Sequence, residues 1–326
     1  MIVSRAPLRM SFVGGGSDMP AYYRENGGAV LSTSLNKYVY LTINKKFDND
    51  LRLSYSNTEI VSDSSQIKHP IFRNTLELLK FKGGLEITSI SDIPSQGSGL
   101  GSSSSFTVAL LHALSTYKGE HISKQELGRL ASHIEIDLCK DTIGKQDQYA
   151  AAFGGFNFIE FNKDDSVVIN PIVCKPLTIK KIEDSILVFY TGRTRKASTL
   201  LLEQSKNMKK ANKRELMSEM VALAYKMRDL LEKNDIELFG EILDRNWVLK
   251  RQMAVGVSDP QIDGWYHKGL AAGAEGGKIM GAGNGGFLMF FAPKEKHDAI
   301  TSALTELQRI PFSFSNTGSE IIYSNQ

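Results

Sequence analysis

PSQGSGLGSSSSF, residues 94–106, decides how this 326-residue chain is read. Upstream, LEITSISDIP carries the β-branched residues of a strand and stops at Pro94. Downstream, FTVALLHALSTY sets Phe106, Ala109, Leu110, Ala113 and Leu114 at helical spacing, with serines suited to capping where the glycines end. Strand, glycine turn and apolar helix in that order make an anion cradle. Gly97, Gly99 and Gly101 let the backbone come close, while the first N–H groups of the helix and its positive dipole end face the ligand. A flexible Gly/Ser connection would not need those flanks. The cradle suits a triphosphate, and Ser102 or Ser103 could place a hydroxyl on Mg²⁺. It is not a Walker A loop, since no G-x-x-x-x-G-K-[ST] occurs in the chain.

The rest of the chain narrows the field. Lys and Arg number 39 against 36 Asp and Glu, so a net charge of +3 leaves no footprint for nucleic acid or an anionic membrane. Cys139 and Cys174 have no paired spacing, which argues against a disulfide framework or a cysteine zinc site. The start MIVSRAPLRM lacks a signal-peptide pattern and no window reaches the ~20 apolar residues of a membrane span, so a cytoplasmic protein is expected. LRMSFVGGG and VLSTSLNKYVYLTINKKF read as strands, and residues 48–70 as a surface excursion or lid. A second helix is expected from Ser123, with Glu126 completing a capping box, running through ELGRLASHIEIDLC. Beyond 184 come the strand SILVFY, a mostly helical stretch from about 196 to 254, a helix after Pro260, strands KIM and FLMFF, a helix after Pro293 and a last strand. Two domains are expected, 1–170 and 171–326.

Several short motifs mislead. GAGNGG at 281–286 fits G-x-G-x-x-G but leads into a strand, so it is not a dinucleotide fingerprint. His133 and Glu135 form H-x-E without a following P-C-x-x-C, and neither a G-x-S-x-G elbow nor H-E-x-x-H is present.

PSQGSGLGSSSS resembles the P-x-x-x-G-L-G-S-S-A signature of GHMP kinases, named for galactokinase, homoserine kinase, mevalonate kinase and phosphomevalonate kinase; Ser105 stands near the usual alanine. APLRMSFVGGGSDMPAYY is similar to that family's first motif and KIMGAGNGGFLMFF to its third, in the expected order. The resemblance implies an α+β two-domain fold, an N-terminal domain like ribosomal S5 domain 2 and a ferredoxin-like C-terminal domain, with the site between them. ATP and Mg²⁺ are implied as cofactors.

Carried onto this chain, the resemblance implies ATP on Gly97, Ser98, Gly99, Leu100, Gly101, Ser102, Ser103 and Ser104. Asp147 in GKQDQY is then the catalytic base and Arg9 its cationic partner; from local sequence alone Asp147 could equally be a solvated or helix-capping aspartate, and Arg9 part of a surface pair or cap. Glu135, with Ser102 and Ser103, is implied for the metal; Asp137, two residues on, would point to another face of the helix. Gly15, Gly16, Ser17 and Asp18 are implied for the acceptor. Lys145, Arg193 and Arg195, with Arg5 and Lys196, are cations that could hold a phosphate already on the substrate. GGGSDMP with GKQDQYAAAFGG most resembles the branch acting on heptose 7-phosphates, and fucose-kinase domains have a similar first motif. The implied partners are a small sugar phosphate and ATP, with no nucleic acid and no membrane; a homodimer stays open. So do a kinase for another sugar, a non-catalytic sugar and nucleotide sensor, and, more remotely, a decarboxylase.

Overall fold

The computed structural model describes residues 1–94, 97–193 and 197–325, in which two sheets carry the fold. The larger one is built on two long antiparallel strands, β1 (Ile2–Val13) and β2 (Gly28–Lys45), linked through α1 (Pro20–Asn26). Their register shifts between Pro7 and Arg9 and again between Ser11 and Val13. β3 (Leu51–Ser54) and β4 (Thr58–Val61) form a hairpin, and β5 (Leu85–Ser91) runs between β2 and β3. Residues 48–70, expected as a surface excursion, therefore supply two strands. β6 (Phe156–Phe161) pairs with β2 and with β7 (Val167–Pro171).

Helices α2 (Pro70–Leu78), α3 (Ser102–Tyr117), α4 (Lys124–Ser132) and α5 (Gln146–Phe153) belong to this first unit. The expected helix from Ser123 begins as read, with Ser123 Oγ accepting the Glu126 N–H at 3.2 Å, but only half the capping box forms because Glu126 pairs with Arg129. From His133 to Leu138 it widens into a π-helix. α3 packs on β1 and β2 and against α5, so Val108 to Leu111, Ala113 and Leu114 are all buried.

After α6 (Pro176–Asp184), the second sheet is made from β8 (Ile186–Tyr190), β9 (Gly276–Ile279), β10 (Phe287–Phe291) and β11 (Gln308–Arg309). Their order is β11-β8-β10-β9, antiparallel throughout. Between β8 and β9 run α7 (Ala197–Asn207), α8 (Ala211–Glu232), α9 (Phe239–Arg251) and α10 (Pro260–Ala271); α11 (His297–Ala303) precedes β11. That topology is ferredoxin-like.

A cut at residue 170 does not separate the two sheets. β12 (Phe314–Ser315) pairs with β2 and β13 (Glu320–Ser324) with β1, so the end of the chain completes the first sheet. α8 and α9 also pack on β1, which explains why Ala6 to Val13 are buried without alternation. Phe12 of β1 meets Phe239 of α9 edge-on at 5.3 Å between ring centres, and Phe239 meets Phe291 of β10 at 4.7 Å, tying the halves together.

Candidate active site

α3 starts at Ser102 behind Gly101, whose φ of +78° is the left-handed conformation that suits glycine. Among the described residues no side chain caps this end, contrary to the expected serine cap, so the donors of the first turn are left for an anion. The serines are used otherwise. Ser102 Oγ lies 2.9 Å from Ser98 Oγ, Ser103 and Ser104 donate to Glu135, and Ser105 donates to the Pro7 carbonyl at 2.7 Å. Leu100, expected to bind nucleotide, buries its side chain in the core and offers only backbone, its carbonyl accepting the Arg9 N–H at 3.0 Å. The third glycine motif lies back to back with this loop: a Cβ on Gly99 would come 2.4 Å from the Met280 carbonyl, and one on Gly286 the same distance from that of Ser98.

Arg9 and Asp147 meet directly. Arg9 Nε donates to Asp147 Oδ1 at 2.7 Å, one terminal nitrogen to Oδ2 at 2.8 Å and the other to the Gly99 carbonyl at 2.6 Å. β1 delivers the arginine and the first turn of α5 the aspartate. Gly101 makes room for the pair, because a Cβ there would be 3.2 Å from Asp147 Oδ2. The N-terminus of α3 and the pair thus share one spot.

Glu135 sits in the π-helix, a widened turn of the kind often found at functional sites. It is fully buried. Its oxygens accept from Ser103 at 2.7 Å, Ser104 at 2.8 Å and Gln148 Nε2 at 2.6 Å. Burial pushes its carboxyl up to about 7 despite those three donors. Asp137 turns outward to His133, as its spacing predicts. Of the residues expected at a metal, Ser103 and Glu135 are together, while Ser104 stands where Ser102 was expected, because Ser102 turns back to Ser98. A carboxylate beside a hydroxyl is a hard oxygen donor set, and among the described residues no cluster of three or more His, Cys, Asp or Glu offers more. That sparse set fits Mg²⁺, which keeps waters and takes oxygens from phosphates.

The Gly14–Asp18 loop leads from β1 toward α1. Asp18 Oδ1 accepts the Gly16 N–H at 2.9 Å and Gln146 Nε2 at 3.3 Å, and Oδ2 accepts the Gln146 N–H at 3.1 Å. Burial, reinforced by the charge on Asp147, holds the Asp18 carboxyl above the usual range. Gly144 has no room for a Cβ, which would fall 1.8 Å from Asp18 Oδ2. Gly15 and Gly16 line the loop. Ser17, expected to touch the acceptor, instead has its hydroxyl bonded to both backbone groups of Ala29.

Among the described residues, three of the expected phosphate-binding cations are each engaged elsewhere. Lys145 bonds Asp165 and lies over the Tyr23 ring, Arg193 pairs with Asp259 at 2.7 Å, and Arg5 pairs with Glu320. Arg195 and Lys196 lie outside the described residues. Two cations that the sequence reading missed stand here instead, Lys250 at the loop and Lys278 at the end of β1 that leads into it. Lys250 Nζ donates to the Gly15 carbonyl at 3.0 Å, and Lys278 Nζ donates to the carbonyls of Ser11 and Phe12 at 2.9 and 3.0 Å. Burial brings Lys250 down to about 8 and, with Lys250 and Arg9 as neighbouring charges, Lys278 down to about 7. The one signal available was Lys278 itself, a charge inside the apolar run GGKIM.

Residues 67–155 match the family of GHMP kinase N-terminal domains and residues 227–309 that of GHMP kinase C-terminal domains. The chain is 30% identical to the D-glycero-alpha-D-manno-heptose 7-phosphate kinase of Campylobacter jejuni, over 97% of each sequence. It is 26% identical to the L-fucokinase/L-fucose-1-P guanylyltransferase of Bacteroides fragilis over 90% of this chain and 34% of that one. The crystal structure of a D-glycero-D-manno-heptose 1-phosphate kinase from Bacteroides thetaiotaomicron, 29% identical, superposes with a TM-score of 0.80 over 99% of this chain and 100% of that one. Among the described residues no helix is long and apolar enough to cross a membrane.

Proposed function

The chain belongs to the GHMP kinase family, and from that premise we propose that it is an ATP-dependent sugar kinase acting on D-glycero-D-manno-heptose 7-phosphate. The anomeric C1 hydroxyl would receive the phosphoryl group, giving the 1,7-bisphosphate in the synthesis of nucleotide-activated heptose. The observation that carries this reading is the bidentate Arg9–Asp147 pair set against the uncapped N-terminus of α3.

ATP phosphates lie along Gly97 to Ser104, where backbone donors and the helix dipole meet negative charge. Each Asp147 oxygen keeps a lone pair beyond its bond to Arg9, and one of them takes the proton of the acceptor hydroxyl. The freed oxygen attacks the γ-phosphorus as the bond to the ADP oxygen breaks in line, and Arg9 stabilises the charge that spreads over the transferred group. Glu135 and Ser103 would hold Mg²⁺, which when bound neutralises phosphate charge. A polyhydroxylated acceptor fits the Gly14–Asp18 loop, because Ser11 Oγ, Gln146 Oε1 and Asn246 Nδ2 around it are buried polar atoms without a hydrogen-bond partner among the described residues.

A kinase for a neutral sugar such as fucose is the second reading, favoured by the pairing of Lys145 with Asp165 and Arg193 with Asp259, which leaves neither cation waiting for a phosphate. A coupled assay of ADP release over a sugar panel separates the two. Turnover selective for heptose 7-phosphate supports the first; equal or better turnover of fucose sinks it. ATP binding without transfer to any sugar would favour the sensor.

A further inference from the structure

The acceptor loop is held from below by the C-terminal half of the chain. Asn246 and Lys250 stand one turn apart on the same face of α9: Asn246 Oδ1 accepts the Gly14 N–H at 3.2 Å, and Lys250 donates to the carbonyl of Gly15. Lys250 also donates to Gln204 Oε1 of α7 at 2.9 Å, and Gln204 Nε2 donates to the Ala282 carbonyl at 3.2 Å. Ala282 belongs to the glycine turn packed against the nucleotide loop, where a Cβ on Gly281 would be 2.6 Å from Gly99 Cα. A single chain of hydrogen bonds thus runs from the acceptor loop, through Lys250 and Gln204, to the nucleotide side.

Every side chain in that relay is buried: Gln204 and Asn246 completely, Lys250 to within 5% of its surface. An ammonium in such a place carries a large desolvation cost that a methionine of similar reach would avoid. Asp18 and Lys278 are the titratable groups coupled to it by charge, and among the described residues no carboxylate pairs with it directly. Its proton donors go to a backbone carbonyl and an amide, so its charge is spent on fixing a loop. Gly16 is part of the same arrangement, since its missing Cβ faces Lys250 Nζ at 3.0 Å.

We propose that Lys250 is a positioning residue for phosphoryl transfer: it fixes the Gly15–Gly16 backbone from which Asp18 and the acceptor take their places, and through Gln204 it sets that loop against the nucleotide-side turn. The proposal rests on the assignment of Gly14–Asp18 to the acceptor. It gives α9 and α7, which lie outside the three glycine motifs, a share in acceptor affinity.

The test measures KM for the acceptor and for ATP separately in Lys250→Met, Gln204→Leu and Asp18→Asn. Lys250→Met removes both bonds of the ammonium and is expected to raise the acceptor KM about tenfold, the effect of losing the charged hydrogen bond that reaches the loop itself, and to leave the ATP KM unchanged. Gln204→Leu keeps the ammonium and its bond to Gly15 but removes the Lys250 bond to Gln204 together with the link to Ala282, so it raises the acceptor KM less; it also serves where Lys250→Met does not fold. A raised acceptor KM in Asp18→Asn, beside a lowered melting temperature and unchanged KM values in both relay variants, overturns the positioning role. If no variant moves the acceptor KM, the assignment of the loop to the acceptor falls, and the role of Lys250 with it.

Discussion

The two glycine loops of the site are built in opposite ways. The nucleotide loop keeps the donors of its helix free: Gly97 to Gly101 end in a helix whose first turn is left uncapped, and the serines that follow are the next residues of the chain. It is the carbonyls of Gly99 and Leu100 that are held from afar, by Arg9. The acceptor loop is held from afar, with Gly14 bonded to Asn246, Gly15 to Lys250, and Asp18 to Gln146, residues separated from it by more than a hundred positions. Open donors at the start of a helix leave it ready for phosphate. A loop held by distant elements can be retuned from those elements, so under the proposed assignment acceptor choice and nucleotide binding separate physically although the two loops converge on one aspartate.

The comparison is tested hardest at that aspartate. Asp147→Asn should lower kcat by about a thousandfold while ATP affinity, measured by calorimetry, stays within a few-fold. Loss of ATP binding would instead make the Arg9–Asp147 pair part of the nucleotide loop. Gly144→Ala comes next. Its Cβ would collide with Asp18, and a displacement of about 1 Å at a reacting centre costs on the order of a hundredfold in rate, so kcat/KM for the acceptor falls and the ATP KM does not. Gly101→Ala should raise the ATP KM, because a positive φ in alanine is strained, and lower kcat as well, because its Cβ would lie 3.2 Å from Asp147 Oδ2. Smaller again is Ser103→Ala, expected to raise the Mg²⁺ concentration for half-maximal rate by about tenfold. An equal effect from Ser104→Ala would show both hydroxyls acting through Glu135 alone.

The same division decides what could be read from the sequence. The glycine turn from Gly97 to Gly101, the helix that starts behind it, the strand before it and the motifs around Arg9 and Asp147 are short-range patterns, and the fold they imply is the one observed. Lys250 was invisible because NWVLKR places it in an ordinary helix, where a lysine is normally solvated; only tertiary packing buries it, between the Gly14–Asp18 loop and Gln204 of α7. The return of β12 and β13 to the first sheet escaped for a similar reason, since a two-residue and a five-residue strand show no preference for either sheet. Ser102 and Ser104 were exchanged at Glu135 because which serine of four faces a π-helix depends on that widened turn, and HIEIDL carries no mark of it.

Ser105 gives the finest test of the local loop. It is the last serine of the run, and its hydroxyl donates to the Pro7 carbonyl at 2.7 Å, away from Glu135 and Ser98 where the other three serines bond. Pro7 lies where the pairing of β1 with β2 slips, between Pro7 and Arg9, so this carbonyl accepts from α3 at a point where the ladder is irregular. Ser105→Ala removes that donor and leaves a buried acceptor unpaired, at a cost of about 1–3 kcal/mol, which lowers the melting temperature by a few degrees. Because Pro7 is two residues from Arg9 and the strand is gripped on both sides by buried neighbours, kcat and both KM values should not change. A variant with an unchanged melting temperature and a clearly reduced kcat would place the Ser105 hydroxyl on the nucleotide after all, and the nucleotide loop would then extend a full turn into α3.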